Sequence, residues 1–252
     1  MAKKTKTLGT VTTVTSMNTS QYIPLTDGSG NVTKITLANL KASLLAGLNL
    51  NAMNDGVFIM FHRKSDNYPL AVKPDKWASY QTSGEIAEGV MVVEGGKILV
   101  VAPTEATLYW SSAAVSAGGK TTTDRETALN DWTGKTSTAA QITHNECKTE
   151  SYAPGFCASY ERVNANGQGL TAGKWWLPSL GELMMIYANM RKINYALSLI
   201  NGATQLAETW YWSSTEYSAT YAWGLGLGDG GAYNTAKATY QGRVRPVSAF
   251  LR

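Results

Sequence analysis

The sequence is short of charge and has no long apolar runs. Asp, Glu, Lys and Arg make up 16% of its 252 residues, and the formal net charge is +4. No basic stripe follows the chain, so we expect no nucleic-acid ligand. No run approaches the roughly 20 apolar residues that span a bilayer, so we expect no membrane insertion. The basic start is not followed by the apolar stretch of a signal peptide, so we also expect no export signal.

Cysteine and histidine are scarce as well, with two of each. Cys147 and Cys157 lie ten positions apart and are first interpreted as free, partly buried thiols. A disulfide closing a short loop stays open, but it needs an oxidising compartment. A zinc site would have only His144 as a further nearby ligand, so we expect no metal. No Ser/His/Asp or paired-carboxylate pattern is visible, and we expect neither catalysis nor a cofactor.

What the sequence does have is a tyrosine-rich, nearly uncharged stretch from Tyr217 to Gly242. Of these 26 residues, 19 are Tyr, Gly, Ser, Thr or Ala, and Asp229 and Lys237 are the charged ones. Tyrosine offers a large amphipathic contact area at low entropic cost, and small residues fit around it. Chemistry would instead require titratable groups. The stretch is therefore typical of a binding surface, although half-buried sheet tyrosines would have the same composition.

Residues 1–54 differ from the rest and are rich in threonine. The sequence YIPLTDGSGNVTKIT predicts a strand, a turn over Asp27–Gly30 and a second strand. Thr36 is placed to N-cap a short helix over residues 37–47. The segment is too small to bury much core alone. We expect it to serve attachment or oligomerisation.

Residues 55–252 have a sequence pattern typical of a globular domain. GVFIMFHR and GKILVVAP predict strands. Capping boxes are expected at Thr123–Glu126, with a helix running to Gly134, and at Ser179–Glu182. Pro154 predicts a short helix that carries Cys157.

Period-two alternation appears near the C-terminus. Trp223, Leu225 and Leu227 alternate with glycines, which predicts a strand with one apolar face turned inward. Glycine weakens a strand relative to residues that pack on a sheet. We therefore interpret the glycine face as one that is not selected for folding.

Four motifs in order resemble a branch of the C-type lectin-like fold: WWLPSLGEL from Trp175, YWSSTE from Tyr211, the Ala222–Trp223 pair, and RVRPVSAF from Arg243. This branch includes phage receptor-binding proteins of the major tropism determinant family and variable proteins of diversity-generating retroelements. The resemblance implies an α+β fold with a small twisted antiparallel sheet, flanking helices and a variable segment at about 217–242.

In such variable proteins, diversified Asn codons yield residues other than Lys, Glu, Gln, Met and Trp. Between Tyr217 and Tyr240 the residues outside that set are Trp223 and Lys237. The resemblance then implies a ligand-binding surface, and its expected members are Tyr217, Ser218, Ala219, Thr220, Tyr221, Gly224, Gly226, Gly228, Gly231, Tyr233, Asn234, Thr235, Ala236, Ala238, Thr239 and Tyr240.

The remaining motif residues are interpreted as scaffold: Trp176, Trp212, Trp223, Leu225, Leu227, Glu182, Arg243 and Arg245. Glu182 is expected to cap a helix. Glu216 is expected to accept hydrogen bonds from loop amides or from Arg243 or Arg245. Asp229 and Asn234 lack the partners of a lectin calcium site, so we expect no calcium requirement. Cysteine-dependent oxygenases share a distant version of the fold, but here the cysteines lie upstream of the expected surface.

The stretch IPLTDGSGNVTKITLANLKASLL resembles leader modules of tail-associated proteins in Bacteroidetes phages. The resemblance implies a virion protein assembled in the host cytoplasm and joined to other tail proteins through this segment. It also implies a homotrimer whose ligand is a host cell-surface protein or glycan. A bacterial surface adhesin without diversification stays open, as does a structural virion protein.

Overall fold

A computed structural model of the protein describes residues 22–26, 32–36 and 55–249. The chain divides into two compact units, Met1–Ala52 and Met53–Arg252.

In the first unit, β1 (Tyr22–Thr26) and β2 (Val32–Thr36) pair antiparallel. Tyr22 lies opposite Thr36, and the register continues to the other end of the hairpin. The expected pair of strands is confirmed. The turn between them and the helix expected over 37–47 lie outside the described residues.

The first sheet of the second unit has the strand order β14-β6-β5-β3-β4 and is antiparallel throughout. Its strands are β3 (Gly56–Arg63), β4 (Tyr68–Val72), β5 (Gly89–Glu94), β6 (Lys97–Val101) and β14 (Val247–Ser248). Both faces of the central strands are buried: Ile59 and Phe61 belong to one apolar cluster, and Phe58 and Met60 to another. Burial on both faces accounts for continuous apolar runs in these strands instead of alternation.

The second sheet has the order β12-β11-β10-β13-β7. Its strands are β7 (Ala106–Tyr109), β10 (Trp210–Glu216), β11 (Tyr221–Gly226), β12 (Ala232–Ala236) and β13 (Gln241–Val244). The pairing is antiparallel except between β10 and β13, which run parallel. A small hairpin of β8 (Arg162–Val163) and β9 (Gly169–Leu170) lies outside both sheets.

Six short α-helices complete the described part: α1 (Trp77–Thr82), α2 (Arg125–Leu129), α3 (Gly134–Gln141), α4 (Ala153–Ser159), α5 (Leu180–Ala188) and α6 (Met190–Ser198). The main core joins both sheets to α5 and α6, with Ile186, Ile193, Phe61, Tyr211 and Leu225 in one buried cluster. The domain is a mixed α+β structure built on mainly antiparallel sheets, which agrees with the expected α+β class. No described helix is long and apolar enough to cross a membrane.

Two helix boundaries differ from the sequence expectation. The N-cap of α2 is Asp124 and not Thr123, because the Asp124 carboxylate accepts the backbone N–H of Thr127 at 2.7 Å. The helix then ends at Leu129, and Gly134 begins α3 instead of ending α2. Gly134 is buried where a side chain would overlap the Glu182 carboxylate, so packing determines the residue at this position.

Candidate functional site: a ligand-binding surface on the second sheet

The segment from Tyr217 to Gly242 forms β11, β12, the start of β13 and the turns between them. Trp223, Leu225 and Leu227 are buried in the main core, as the period-two pattern predicts. The scaffold residues Trp176, Trp212, Trp223, Leu225, Leu227, Glu182 and Arg245 are all buried, and Arg243 is half-buried. The residues that the motifs mark as scaffold therefore lie in the interior of the domain, with Arg243 at its edge.

Nearly all of the expected binding residues reach the surface. Exposed are Ala219, Thr220, Tyr221, Gly228, Tyr233, Asn234, Thr239 and Tyr240; half-buried are Tyr217, Ser218, Gly226, Gly231, Thr235, Ala236 and Ala238. These fifteen residues are called the tyrosine surface below.

Gly224 is the exception, and its assignment to the binding surface is corrected. It is buried, and a Cβ atom there would overlap both the Trp210 ring and the Tyr211 carbonyl oxygen. A Cβ atom at Gly242 would also crowd Trp210, with its Cδ1 at 2.9 Å. The glycine face of β11 is thus shaped by an indole ring lying across it. Gly224 belongs to the framework, and the interpretation of a face not selected for folding is wrong at this position.

The four tyrosines of the surface fall into two groups on opposite faces of the sheet. Tyr217 and Tyr221 make edge contacts with each other at 6.4 Å, and Tyr217 contacts Trp223 at 5.3 Å. Tyr221 shares a face with Trp223 because strand side chains alternate. Tyr233 and Tyr240 belong to the other face.

On that other face, aromatic rings form a continuous row. Tyr233 packs against Trp210 with centroids 6.3 Å apart, Trp210 against Trp212 at 6.2 Å, and Trp212 against Tyr240 at 6.0 Å. We call these four rings the aromatic row. Trp210 lies just before the YWSSTE motif and is not among the residues that the motifs mark. Because Trp210 lies two residues before Trp212 in β10, alternation places both indoles on one face and Tyr211 on the other.

A buried ion pair joins the end of β10 to the residue that follows β12. Lys237 Nζ lies 2.6 Å from Glu216 Oε2, and both side chains are almost fully buried, at 0% and 1% exposure. The ammonium also donates to the Val115 carbonyl at 2.7 Å and lies 4.3 Å from the centroid of the Trp110 ring. Burial lowers the pKa of Lys237, against the opposing effect of Glu216.

The Glu216 carboxylate also orders a neighbouring loop. It accepts the backbone N–H groups of Ala117 and Gly119, each at 3.0 Å. The expectation of loop amides as donors is confirmed. The expectation of Arg243 or Arg245 is wrong for Glu216, because both arginines pair with Glu105.

Glu105 binds two arginines: Arg243, which lies in β13, and Arg245, which follows that strand. Arg245 contacts it at 2.6 Å and is buried, whereas Arg243 contacts it at 3.2 Å from a partly exposed position. Arg245 also donates to the carbonyl of Ala102, and Tyr211 Oη donates to Glu105 at 2.8 Å. The RVRPV motif therefore connects the second sheet to the loop before β7.

Glu182 caps α5, as expected. Its carboxylate accepts the backbone N–H of Ser179 at 2.8 Å and the Trp176 Nε1–H at 3.1 Å. Burial is the main influence on this group and raises its pKa from 4.5 to about 7.

Both cysteines are free and buried. Burial raises the pKa of Cys147 to about 12 and that of Cys157 well above its usual value, so both remain thiols at neutral pH. Across the described residues, no three His, Cys, Asp or Glu side chains converge as metal ligands. Asp229 Oδ1 instead accepts the N–H of Gly231 at 2.8 Å, inside the β11–β12 turn.

Comparisons with known proteins assign no family. No family model and no curated protein matches the chain. Among solved structures, a fimbrial protein from Bacteroides ovatus ATCC 8483 is similar at 15% sequence identity and a TM-score of 0.44. The match covers 91% of this chain and 49% of that protein, so the chain spans about half of its length.

Proposed function

We propose that the chain is a phage tail-associated receptor-binding protein. In this proposal its C-terminal domain is C-type lectin-like, and its tyrosine surface, diversified by a retroelement, binds a host cell-surface ligand without covalent chemistry. The observation that carries the proposal is the division of residues 217–242. The framework side chains of this segment are buried, whereas the fifteen residues of the tyrosine surface are exposed or half-buried.

Trp223 and Lys237 are the two residues between Tyr217 and Tyr240 that diversified Asn codons cannot encode. Both are buried, which supports the diversification. Trp223 packs in the main core and Lys237 forms the buried ion pair. Every exposed residue between Tyr217 and Tyr240 is of a type that such codons yield. Tyr217, Tyr233 and Tyr240 also pack on the rings of Trp223, Trp210 and Trp212, so substitutions at these three positions would change contacts with buried rings as well as the surface.

The physical basis of binding is aromatic contact area on a nearly neutral surface. Three tyrosines of this surface, Tyr221, Tyr233 and Tyr240, are among the exposed large hydrophobic residues of the described chain. Tyr and Trp dominate binding hot spots, where truncation costs at least about 2 kcal/mol. A trimer attached through residues 1–54 would add avidity, since several weak sites act at a high effective concentration.

The test is binding of the purified full chain to cells of candidate Bacteroidetes hosts. Truncating Tyr221, Tyr233 and Tyr240 to Ala in one variant is expected to weaken binding by about 30-fold or more, the equivalent of about 2 kcal/mol. Tyr195→Ala is the matched control, because Tyr195 is an exposed tyrosine on α6 and is not part of the tyrosine surface. Unchanged binding by the triple variant would contradict the proposal.

The alternatives predict other outcomes. A structural virion protein would bury the three tyrosines against a neighbouring subunit, and the triple variant would then fail in assembly instead of in cell binding. For diversification, the decisive observation is in the DNA. An imperfect copy of the segment encoding Tyr217 to Arg245, differing at adenines and lying near a reverse transcriptase gene, is expected. A genome without such a copy is expected for the non-diversified adhesin.

A further inference from the structure

Strand β12 lies at one edge of the second sheet, where its outer side has no neighbouring strand among the described residues. Two backbone hydrogen bonds flank it. The N–H of Lys237 donates to the Thr220 carbonyl at 3.0 Å, in the register that pairs β12 with β11. The N–H of Gly226 donates to the Gly231 carbonyl at 2.9 Å, in the same register. Hydrogen-bonded pairs alternate along antiparallel strands, so these two bonds determine which way each β12 residue faces.

The alternation divides the residues of β12 into two sets. Tyr233 and Thr235 direct their backbone N–H and C=O groups to β11, whereas Ala232, Asn234 and Ala236 direct theirs outward. Within the described part of the chain, no hydrogen bond satisfies the outward groups of Asn234 or Ala236. Asn234 is exposed and Ala236 is half-buried. The edge therefore offers main-chain donors and acceptors to a partner.

The other sheet edges are protected, but β12 is not. Proteins usually guard an edge strand with proline, charged side chains, a bulge or a covering segment. In this chain β4 contains Pro69, β7 is bridged through Tyr109 to Tyr152, and β14 is bridged through Val247 to Trp176. Strand β12 contains no proline and no charged residue, and it pairs with β11 without a bulge. An unguarded edge of this kind is a template for a further strand.

The tyrosines beside β12 lie on both faces of the sheet. Tyr233 is 59% exposed and packs on the face of Trp210. Tyr221 is 42% exposed on the opposite face, and Ala236 of β12 is its neighbour across the strands. A ligand lying flat on one face meets one of the two tyrosines. A strand added to β12 turns alternate side chains to both faces and so reaches both tyrosines.

We propose that β12 binds an extended segment of a host surface protein, which joins the second sheet as an additional strand. The inference rests on the proposed function and specifies its ligand as a polypeptide. In strand addition, main-chain hydrogen bonds supply affinity and alternate side chains supply specificity. The outward groups of β12 belong to the backbone, so they stay the same whichever side chains the variable segment carries.

A second copy of this chain fits the edge less well than a host protein. Two β12 strands paired about a two-fold axis would share a strip of five residues, which is about 17 Å long and one strand wide. A stable interface buries about 1,200 Å² or more. Pairing edge to edge would set the two tyrosine surfaces side by side, where they do not cover each other. A host protein can extend its contacts from β12 over the tyrosine surface.

Amide hydrogen exchange of the full chain, followed by NMR, tests whether the edge is open. The amides of Tyr233 and Thr235 bond to β11, so we expect them to exchange at least about tenfold more slowly than those of Asn234 and Ala236. Equal protection of all four amides would show that the edge is already covered, as in a self-paired dimer. That result would overturn the inference.

A proline substitution tests strand addition in cell binding. Asn234→Pro removes an outward N–H and leaves the bonds to β11, and proline is tolerated on edge strands where the N–H faces solvent. We expect it to weaken binding to cells of candidate Bacteroidetes hosts by about tenfold or more, because the ring also keeps a partner strand away. Asn234→Ser is the matched control, since it loses the same side chain but keeps the N–H. Equal binding by the two variants would overturn the inference.

A second pair of variants covers the case in which Asn234→Pro lowers the urea midpoint of unfolding. Ala236→Pro removes the next outward N–H along the strand, and Ala236→Ser keeps it with a side chain of similar size. The same difference in cell binding is expected within this pair. Binding by Ala236→Pro that equals binding by Ala236→Ser would contradict strand addition.

Treated host cells separate this inference from the proposed function. Protease removes surface proteins, whereas periodate oxidises the sugar diols of glycans. Binding that is lost after protease and kept after periodate supports a polypeptide ligand. Binding that is kept after protease and lost after periodate overturns the inference and leaves the proposed function intact. Absence of binding by the unaltered chain to every candidate host would contradict the proposed function itself.

Discussion

Replacing Lys237 by Met tests the claim that one ion pair holds the tyrosine surface in place. The substitution preserves most of the side-chain volume but leaves the buried Glu216 carboxylate without its cation. Glu216 then keeps only the amide donors of Ala117 and Gly119. Breaking one partner of a buried pair costs about 3–5 kcal/mol. A domain of ordinary stability has about 5–15 kcal/mol in total, so the loss is a large fraction of it.

The measurement is urea unfolding followed by circular dichroism, with the free energy of unfolding taken from the midpoint and slope. Lys97→Met is the control. Lys97 is exposed and also contacts an indole ring, with its Nζ 5.0 Å from the centroid of Trp132. Such an exposed contact contributes about 0.5–1 kcal/mol. The expected order is therefore a large loss for Lys237→Met and a small one for Lys97→Met.

A double variant separates the lost charge from the lost packing. Glu216→Gln combined with Lys237→Met removes both charges, so no uncompensated carboxylate stays buried. We expect it to recover about half or more of the stability lost by Lys237→Met, because neutral replacements of buried pairs are often tolerated. The reasoning is refuted if Lys237→Met costs less than about 1 kcal/mol, or if the double variant is less stable than the single one.

Three further predictions concern the framework. Glu182 has a pKa of about 7 in the folded chain against 4.5 as its ordinary value, so its contribution to stability is fully present below pH 4.5 and is lost as the pH rises to 7. The loss is up to about 3 kcal/mol, and Glu182→Gln is expected to remove this pH dependence from the free energy of unfolding. Gly224→Ala is expected to cost about 1–3 kcal/mol by overpacking, whereas Gly228→Ala, whose nearest contact would be 3.3 Å, is expected to cost clearly less; equal thermal stability of the two variants would contradict the packing argument. Cys147 and Cys157 are expected to resist a thiol reagent in the folded chain and to react fully in urea, and rapid labelling of the folded chain would show that they are accessible.

Local patterns in the sequence predicted much of the framework. Trp223, Leu225 and Leu227 were predicted to be inward-facing, because a strand's alternation is visible in a single segment. The α5 capping box was predictable for the same reason, since Ser179 and Glu182 are three residues apart. The end of α2 was not, because packing against the distant Glu182 decides what residue fits at Gly134.

Contacts between distant segments were beyond the sequence. Glu216 was expected to accept from loop amides or from an arginine; the amides are there, but its cation is Lys237, because a hairpin returns the chain to the end of β10. The sequence alone predicts an exposed position at Gly224. The structure shows it buried, because the indole ring of Trp210 from the neighbouring strand lies over it. Such pairings require the register of the sheet, which single-segment patterns do not contain.

The Glu216–Lys237 pair also limits how the segment between them can change in evolution. The pair sets the path length of the chain from one end of the hairpin to the other. An inserted or deleted residue within β11 or β12 would pull the ammonium away from the carboxylate or shift the strand register by one, which turns each side chain to the opposite face. Substitutions leave that distance unchanged. We therefore expect β11 and β12 to vary among natural relatives by substitution at constant strand length, and an alignment of relatives with different lengths here would contradict this.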